Sequence, residues 1–159
     1  MDKALDFNPN NVTALQQTIG FLTSPEIGKH QEAIGLIKRY ISIHKEGPEN
    51  KRNLINGYNR LAMAEWKVNE LDSAFVHIQK AIDIDQTDAI LYTTLAEVHL
   101  AMNNKKLFYS TLQKSFDLGL TFRPTWFLEE PYISLKSDSV FMQMIKKNSE
   151  ENKAQALKN

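Results

Sequence analysis

Apolar residues between Asn50 and Asp88 recur at spacings of three and four, the pattern of amphipathic helices. One apolar stripe runs from Leu54 to Trp66, and a second runs from Leu71 to Ile82. The polar pair Asn69-Glu70 separates the two stripes. Residues 50–88 are therefore predicted to form a hairpin of two helices.

The same arrangement returns 34 residues further along the chain. Stripes from Ile90 to Met102 and from Leu107 to Phe116 flank a polar break, and Gly119 is well placed to end the second helix. The two segments share seven identities at this spacing: Tyr58/Tyr92, Leu61/Leu95, Ala62/Ala96, Asn69/Asn103, Gln79/Gln113, Lys80/Lys114 and Asp83/Asp117. A spacing that holds across both halves of a hairpin indicates stacked repeats.

The segment before these units, residues 12–49, is a stretched version of the same pattern. Ala33 lies 41 residues before Ala74, not 34. Ser24-Pro25-Glu26 predicts the start of a helix, with a capping serine, a proline in the first turn and an acid near the positive helix end. This helix is expected to continue towards His44 and to stop before Gly47-Pro48.

The two ends of the chain depart from the 34-residue pattern. Residues 1–11 are expected to close a preceding unit, so that the chain begins inside a repeat. Residues 122–159 are expected to form a capping segment with a short helix before Pro131, a final helix capped within 137–139, and a frayed polar end beyond Lys146. The predicted organisation is one domain with the units 1–11, 12–49, 50–88, 89–121 and 122–159.

The motif Tyr58-x-x-Leu61-Ala62, followed by Ala74-x-x-x-Ile78-x-x-Ala81, resembles the tetratricopeptide repeat. The tail from Pro131 to Phe141 resembles the segment that closes many bacterial proteins of that family. The resemblance implies an all-α, right-handed superhelical solenoid of antiparallel helix hairpins with a C-terminal capping helix. Glu65 and His99 depart from the family pattern, because both stand where a tyrosine is usual.

Charge and composition exclude several classes of function. The 159 residues include 19 lysines and arginines and 19 aspartates and glutamates, so the formal net charge is zero. A neutral chain lacks the positive surface expected of a nucleic-acid-binding protein. No apolar run approaches the length of about 20 residues that spans a bilayer, and no signal peptide is evident. Cysteine is absent. The compartment stays open, with a cytoplasmic location favoured.

No pattern of catalytic residues is evident in the sequence. There is no glycine-rich phosphate loop, no metal-spaced histidine pair and no nucleophile elbow, so a non-catalytic protein without a cofactor or metal is expected. His30, His44 and His77 have no acidic partner at ligand spacing and are expected at solvent or interface positions. Glu65 and His99 hold equivalent places one repeat apart, which permits either a contact that raises the pKa of His99 or a tolerated polar pair.

One face of each first helix is implied by the resemblance to line a groove for a peptide partner. Carried over residue by residue, the groove candidates are Asn56, Asn59, Met63, Lys67, Thr93 and Glu97, with Gln16 or Gln17 from the stretched unit. Thr93, Thr94 and Glu97 disfavour the clamp of several cations that grips a terminal carboxylate in chaperone-binding members. A mostly neutral groove is better suited to amide hydrogen bonds.

Three functions remain open from the sequence. The main hypothesis is a protein-protein interaction scaffold that binds a peptide or protein segment on its concave face. A second is a helical accessory or regulatory domain of a larger enzyme. A third is self-association into a homo-oligomer through exposed repeat ends.

Overall fold

All regular structure in the described residues is helical. The computed structural model describes residues 3–44, 46–128 and 130–156, with side chains described as far as residue 150. In chain order the α-helices are α1 (Lys3–Phe7), α2 (Val12–Leu22), α3 (His30–Ile43), α4 (Lys51–Lys67), α5 (Leu71–Ile84), α6 (Ala89–Ala101), α7 (Lys105–Asp117) and α8 (Ser139–Ala156). Short 3-10 helices occupy Pro48–Asn50, Pro124–Leu128 and Tyr132–Leu135. The all-α fold of helix hairpins is confirmed.

The chain divides into two compact units, Met1–Gln86 and Thr87–Asn159. In the first unit α3 packs on both α2 and α4, and α4 pairs with α5. In the second unit α6 pairs with α7, and α7 contacts α8. Each unit has its own apolar core.

The turn inside each regular hairpin has the same backbone geometry. Asn69 and Asn103 take positive φ angles of 65° and 58°. In both turns the next amide donates to a carbonyl five residues earlier, at 2.8 Å. Asparagine tolerates this left-handed conformation, and the bond satisfies a carbonyl at the helix end. The identity of these two positions in the sequence is therefore explained by the turn.

Side-chain contacts also recur from one hairpin to the other. The amide of Gln79 donates to Asp83, and that of Gln113 donates to Asp117, each at 2.9 Å. A lysine lies over a tyrosine ring in both hairpins: Lys80 over Tyr58 at 5.6 Å and Lys114 over Tyr92 at 5.9 Å. Five of the seven sequence identities therefore belong to contacts or turns that both hairpins repeat.

Small residues allow the helices to approach closely. The alanines at the predicted contacts are fully buried: Ala62, Ala74, Ala81 and Ala96. Gly57 of α4 extends this close packing to α3, because a Cβ atom at that position would lie 2.7 Å from Cγ1 of Ile41. Gly35 of α3 is different, since a Cβ there would meet no atom within 4 Å.

The predicted start of α3 at Ser24 is wrong. Residues 24–28 form a turn in which the amides of Ile27 and Gly28 donate to the carbonyl of Ser24, and α3 begins only at His30. Gly28 has a φ of 61°, a conformation that ends any helix begun at Ser24. The end of α3 near His44 is confirmed.

The capping segment differs from its prediction in two places. The short helix near Trp126 is a 3-10 helix, Pro124–Leu128, and a second one follows at Tyr132–Leu135. The final helix extends into the polar stretch beyond Lys146, since α8 continues to Ala156.

The cap of the final helix is confirmed at Asp138. Its Oδ1 accepts hydrogen bonds from the amides of Val140 and Phe141, both at 3.1 Å, and its Oδ2 lies 3.2 Å from the ammonium of Lys105 in α7. The Tyr109 hydroxyl is the largest cause that lowers the pKa of Asp138 to about 2. Burial, followed by Asp138, raises the pKa of Tyr109 to about 12. This cluster ties the capping helix to the last hairpin.

Candidate functional site

A polar cavity lies among α2, α3 and α4 of the first unit. Its volume is about 330 Å³, and it is lined by Gln16, Ile19, Ile37, Tyr40, Asn56 and Arg60. Two residues come from each helix, and the two are three or four residues apart, the spacing that places both on one face of their helix. The sequence candidates Gln16 and Asn56 are thus brought together here.

The hydroxyl of Tyr40 in α3 lines the cavity and is hydrogen-bonded to residues of α2 and α4. It accepts from the amide of Gln16 at 3.1 Å and donates to Oδ1 of Asn53 at 3.1 Å. The Tyr40 side chain is 3% exposed, so its ring cannot swing out without losing both bonds. The phenol therefore fixes α2 and α4 on either side of α3.

The cavity has an apolar floor and a polar rim. Ile19 and Ile37 are buried beneath it, whereas Asn56 and Arg60 are exposed on α4. Arg60 makes no ion pair or hydrogen bond with any of the described residues. The rim thus presents a guanidinium and a carboxamide that are open to a ligand, above a surface that packing holds rigid.

The remaining groove candidates of α4 extend along the helix from the cavity. Met63 is 40% exposed, and Lys67 is exposed with its ammonium 4.0 Å from the ring of Trp66. Asn59 is half-buried, and its Oδ1 is buried without a hydrogen-bond donor among the described residues. A buried acceptor without a donor costs free energy, and because this oxygen is closed to solvent a ligand reaches it only if the side chain moves.

The candidates of the second unit are less accessible. Thr93 is buried, and its hydroxyl donates to the carbonyl of Ala89 at 3.3 Å. Glu97 is half-buried and interacts with Tyr132 of the capping segment. The pKa of Tyr132 is raised well above its usual range, mainly by burial and then by the negative charge of Glu97. Both side chains are engaged inside their own unit.

Arg60, Tyr40 and Asn53 are site residues that the sequence analysis did not select. A signal for Arg60 was present, because it follows Asn56 by four residues and shares its helix face. No comparable signal exists for Tyr40, whose partners lie 24 and 13 residues away in the chain.

Glu65 is the most deeply buried charged residue of the first unit, with its side chain 1% exposed. Its Oε2 lies 2.7 Å from Nδ1 of His77 in α5. The ammonium of Lys38 in α3 lies 3.9 Å from Oε1. No acidic residue stands at ligand spacing from His77 along its own helix, and the acidic partner comes instead from the other helix of the hairpin.

His99 behaves oppositely to the hypothesis that a carboxylate raises its pKa. Burial lowers the pKa of His99 below its ordinary value of 6.5. His30 also has a lowered pKa, through burial and then through the positive charge of Lys67. Burial therefore favours the neutral form of both imidazoles.

A second cavity of the first unit is larger and mostly apolar. It measures about 790 Å³ and lies among α1, α2, α3 and the turn between the last two. Phe21 and Ile27 line it and are 61% and 38% exposed. Lys29 and Glu32 form an ion pair of 2.9 Å at its edge, and Arg39 also lines it.

Two kinds of feature were not found in the part of the chain that the structure describes. No group of three or more histidine, cysteine or acidic side chains there is arranged to hold a metal ion. None of the described helices combines the length and apolarity that crossing a membrane requires.

A comparison with solved structures identifies a protein with a similar fold. The crystal structure of MamA matches 97% of this chain and 85% of its own, with a TM-score of 0.65 and 21% sequence identity. The chain therefore has a helical fold like that of the tetratricopeptide-repeat proteins. No protein-family model and no curated protein matches the chain in sequence.

Proposed function

We propose that this chain is a non-catalytic interaction scaffold that binds a peptide or protein segment on the face shared by α2 and α4. The observation that carries the proposal is the polar cavity, in which exposed Asn56 and Arg60 stand over a buried floor. The likeness of the fold to repeat proteins supports the class of function by analogy, because such proteins expose extended surfaces.

The side chains beside the cavity fit a bound polypeptide. Asn56 supplies an exposed carboxamide that both donates and accepts, and half-buried Asn59 lies three residues further along the helix. Met63 adds an exposed, flexible thioether that adapts to apolar side chains. These three residues and Lys67 lie along one face of α4. The face is long enough to contact a short peptide segment.

In the second unit, considered by itself, Thr93 and Glu97 are proposed as binding residues. Glu97 is the more accessible of the two. Because its carboxylate acts on Tyr132, we expect binding there to depend on the capping segment.

A peptide-display selection on the full chain tests the proposal. Selected peptides should bind the wild type and should lose at least about tenfold in affinity to the pair Asn59→Ala and Lys67→Glu. The matched control is Gln31→Ala with Lys106→Glu, which makes the same kinds of change at exposed positions of α3 and α7. Equal binding by both variants would show that the α4 face is not used.

Self-association is the second candidate, and the apolar cavity favours it. Phe21 is an exposed aromatic residue on a cavity large enough to receive side chains of another molecule. Light scattering at increasing concentration should show a mass above that of one chain, and Phe21→Glu should return it to one chain. A constant single-chain mass for the wild type would dismiss this candidate.

A further inference from the structure

The exposed face of α4 carries charge of one sign. Its four basic residues, Lys51, Arg52, Arg60 and Lys67, are accompanied by a single acid, Glu65. That acid is buried and bonded to His77, so it does not face the solvent. The neighbouring α2 has no charged residue. The chain is neutral as a whole, yet the walls of the polar cavity are neutral or positive.

The hydrogen-bonding capacity inside the cavity is biased in the same direction. The hydroxyl proton of Tyr40 is used by Asn53, and one N–H of Gln16 is used by Tyr40. The second N–H of Gln16 and the NH2 group of Asn56 remain as neutral donors beside the carbonyl oxygens of the same two side chains, and the guanidinium of Arg60 tips the balance with a charged fork of donors. A ligand group that enters the cavity is therefore met mainly by donors.

We propose that the polar cavity receives the side-chain carboxylate of an aspartate or glutamate from an acidic segment of a partner protein. This inference rests on the proposed function and names the chemistry of its ligand. Arg60 holds the carboxylate through paired N–H···O bonds, a geometry that guanidinium and carboxylate share. Asn56 and Gln16 orient the ligand, and Ile19 and Ile37 pack against its methylene groups.

Other ligand groups fit this cavity less well. A lysine or arginine would meet Arg60 as a like charge, and a purely apolar side chain would desolvate the guanidinium without pairing it. A clamp for a terminal carboxylate needs several converging cations, whereas Arg60 is the only cation among the described residues that line this cavity. One internal carboxylate matches one guanidinium.

The experiment is a selection from an unbiased peptide library displayed against the full chain, followed by affinity measurements on three proteins. Selected sequences should share an aspartate or glutamate at a fixed position. Arg60→Gln should weaken binding about tenfold to a hundredfold, the range of a charge-assisted hydrogen bond. Arg123→Gln is the matched control, since this exposed arginine lines neither of the two cavities described above, and it should leave affinity within about twofold.

A charge reversal makes the assignment specific. Replacing the shared acid of a selected peptide by lysine should abolish binding to the wild type and restore part of it to Arg60→Glu. Thermal denaturation should show Arg60→Gln and Arg60→Glu as stable as the wild type, because Arg60 has no described partner to lose.

The outcomes separate the two levels of the argument. Selected peptides that bind through α4 but lack a shared acid, or that bind Arg60→Gln as tightly as the wild type, would overturn the acidic-ligand inference and leave the scaffold intact. Binding that free inorganic phosphate matches in affinity at the same site would also overturn it, in favour of a small-anion site. A library that yields no binder would overturn both.

Discussion

The hydrogen bond between Glu65 and His77 should be the most costly side-chain contact to break in the first unit. His77→Phe keeps an aromatic ring beside Tyr58, whose centroid lies 6.2 Å from that of the native imidazole, and removes the ring nitrogen that bonds the carboxylate. The Glu65 carboxylate would then be left with Lys38 at 3.9 Å as its nearest described charge.

The expected magnitude follows from the burial of the carboxylate. The Glu65 side chain is 1% exposed, so water cannot replace the lost donor, and breaking one side of a buried pair costs about 3–5 kcal/mol. The Lys38 side chain is 56% exposed and reaches one oxygen, which places the expected loss near the lower end, at about 3 kcal/mol. Glu65→Met combined with His77→Phe should cost no more than about 1 kcal/mol, because it removes both polar partners together.

Urea unfolding provides the measurement. The chain has two tryptophans, Trp66 in the first unit and Trp126 in the second. Trp66 fluorescence therefore reports the unit that carries the mutation, and circular dichroism reports both units. The double-mutant cycle should give a coupling of about 2–3 kcal/mol between the two positions. Lys38→Ala is the control and should cost less than about 1 kcal/mol as an exposed pair.

Two results would refute this reasoning. His77→Phe could leave the stability within about 0.5 kcal/mol of the wild type, which would mean that the carboxylate is solvated in solution. Alternatively, the double variant could be as unstable as the single one, which would assign the loss to packing around the ring and not to the hydrogen bond.

The other predictions concern packing and pH. Gly57→Ala should destabilise the first unit by about 1–2 kcal/mol in urea unfolding, because overpacking against α3 outweighs the gain in helix propensity, whereas Gly35→Ala should stabilise it by about 0.5–1 kcal/mol; equal effects would be inconsistent with the close contact. Because the pKa of Asp138 is lowered in the folded state, its ionised carboxylate contributes stability that is complete above the unfolded pKa of 3.8 and is lost as pH falls through about 2. Tyr109→Phe should reduce this loss of stability in acid, measured by a pH titration followed by circular dichroism. Since burial lowers the pKa of His99, the stability that the neutral imidazole contributes is complete above pH 6.5 and is lost as pH falls below that value. His99→Gln should therefore flatten the pH dependence of the second unit's stability between about pH 6.5 and 5. An unchanged pH dependence would argue against a buried neutral imidazole.

The regular hairpins could be predicted from the sequence because two independent signals agree there. The spacing of apolar residues located helices α4 to α7, and the identities at a distance of 34 residues located the turns. Asn69 and Asn103 adopt the same left-handed backbone conformation in those turns. The start of α3 could not be found this way. Ser24-Pro25-Glu26 is a good local helix start, but Gly28 adopts a positive φ and moves the first turn to His30.

The candidate site was only partly accessible to the same reasoning. Position on a helix face gave Asn56 and Met63, since exposure follows the period of α4. The pairing of Glu65 with His77 and the bridging role of Tyr40 depend on how separate helices dock, which a residue spacing within one helix does not encode. Local periodicity therefore identifies which side chains face outward, and tertiary packing decides what they meet.

The placement of Tyr40 couples ligand binding to the docking of α2, α3 and α4. Because one phenol joins residues on either side of its own helix, the recess beneath Arg60 exists only while three helices are docked together. A ligand that occupies the recess must then raise the melting temperature of this half of the chain in proportion to the logarithm of its concentration. Tyr40→Phe would loosen both properties at once, so affinity and thermal resistance should fall in step in this variant.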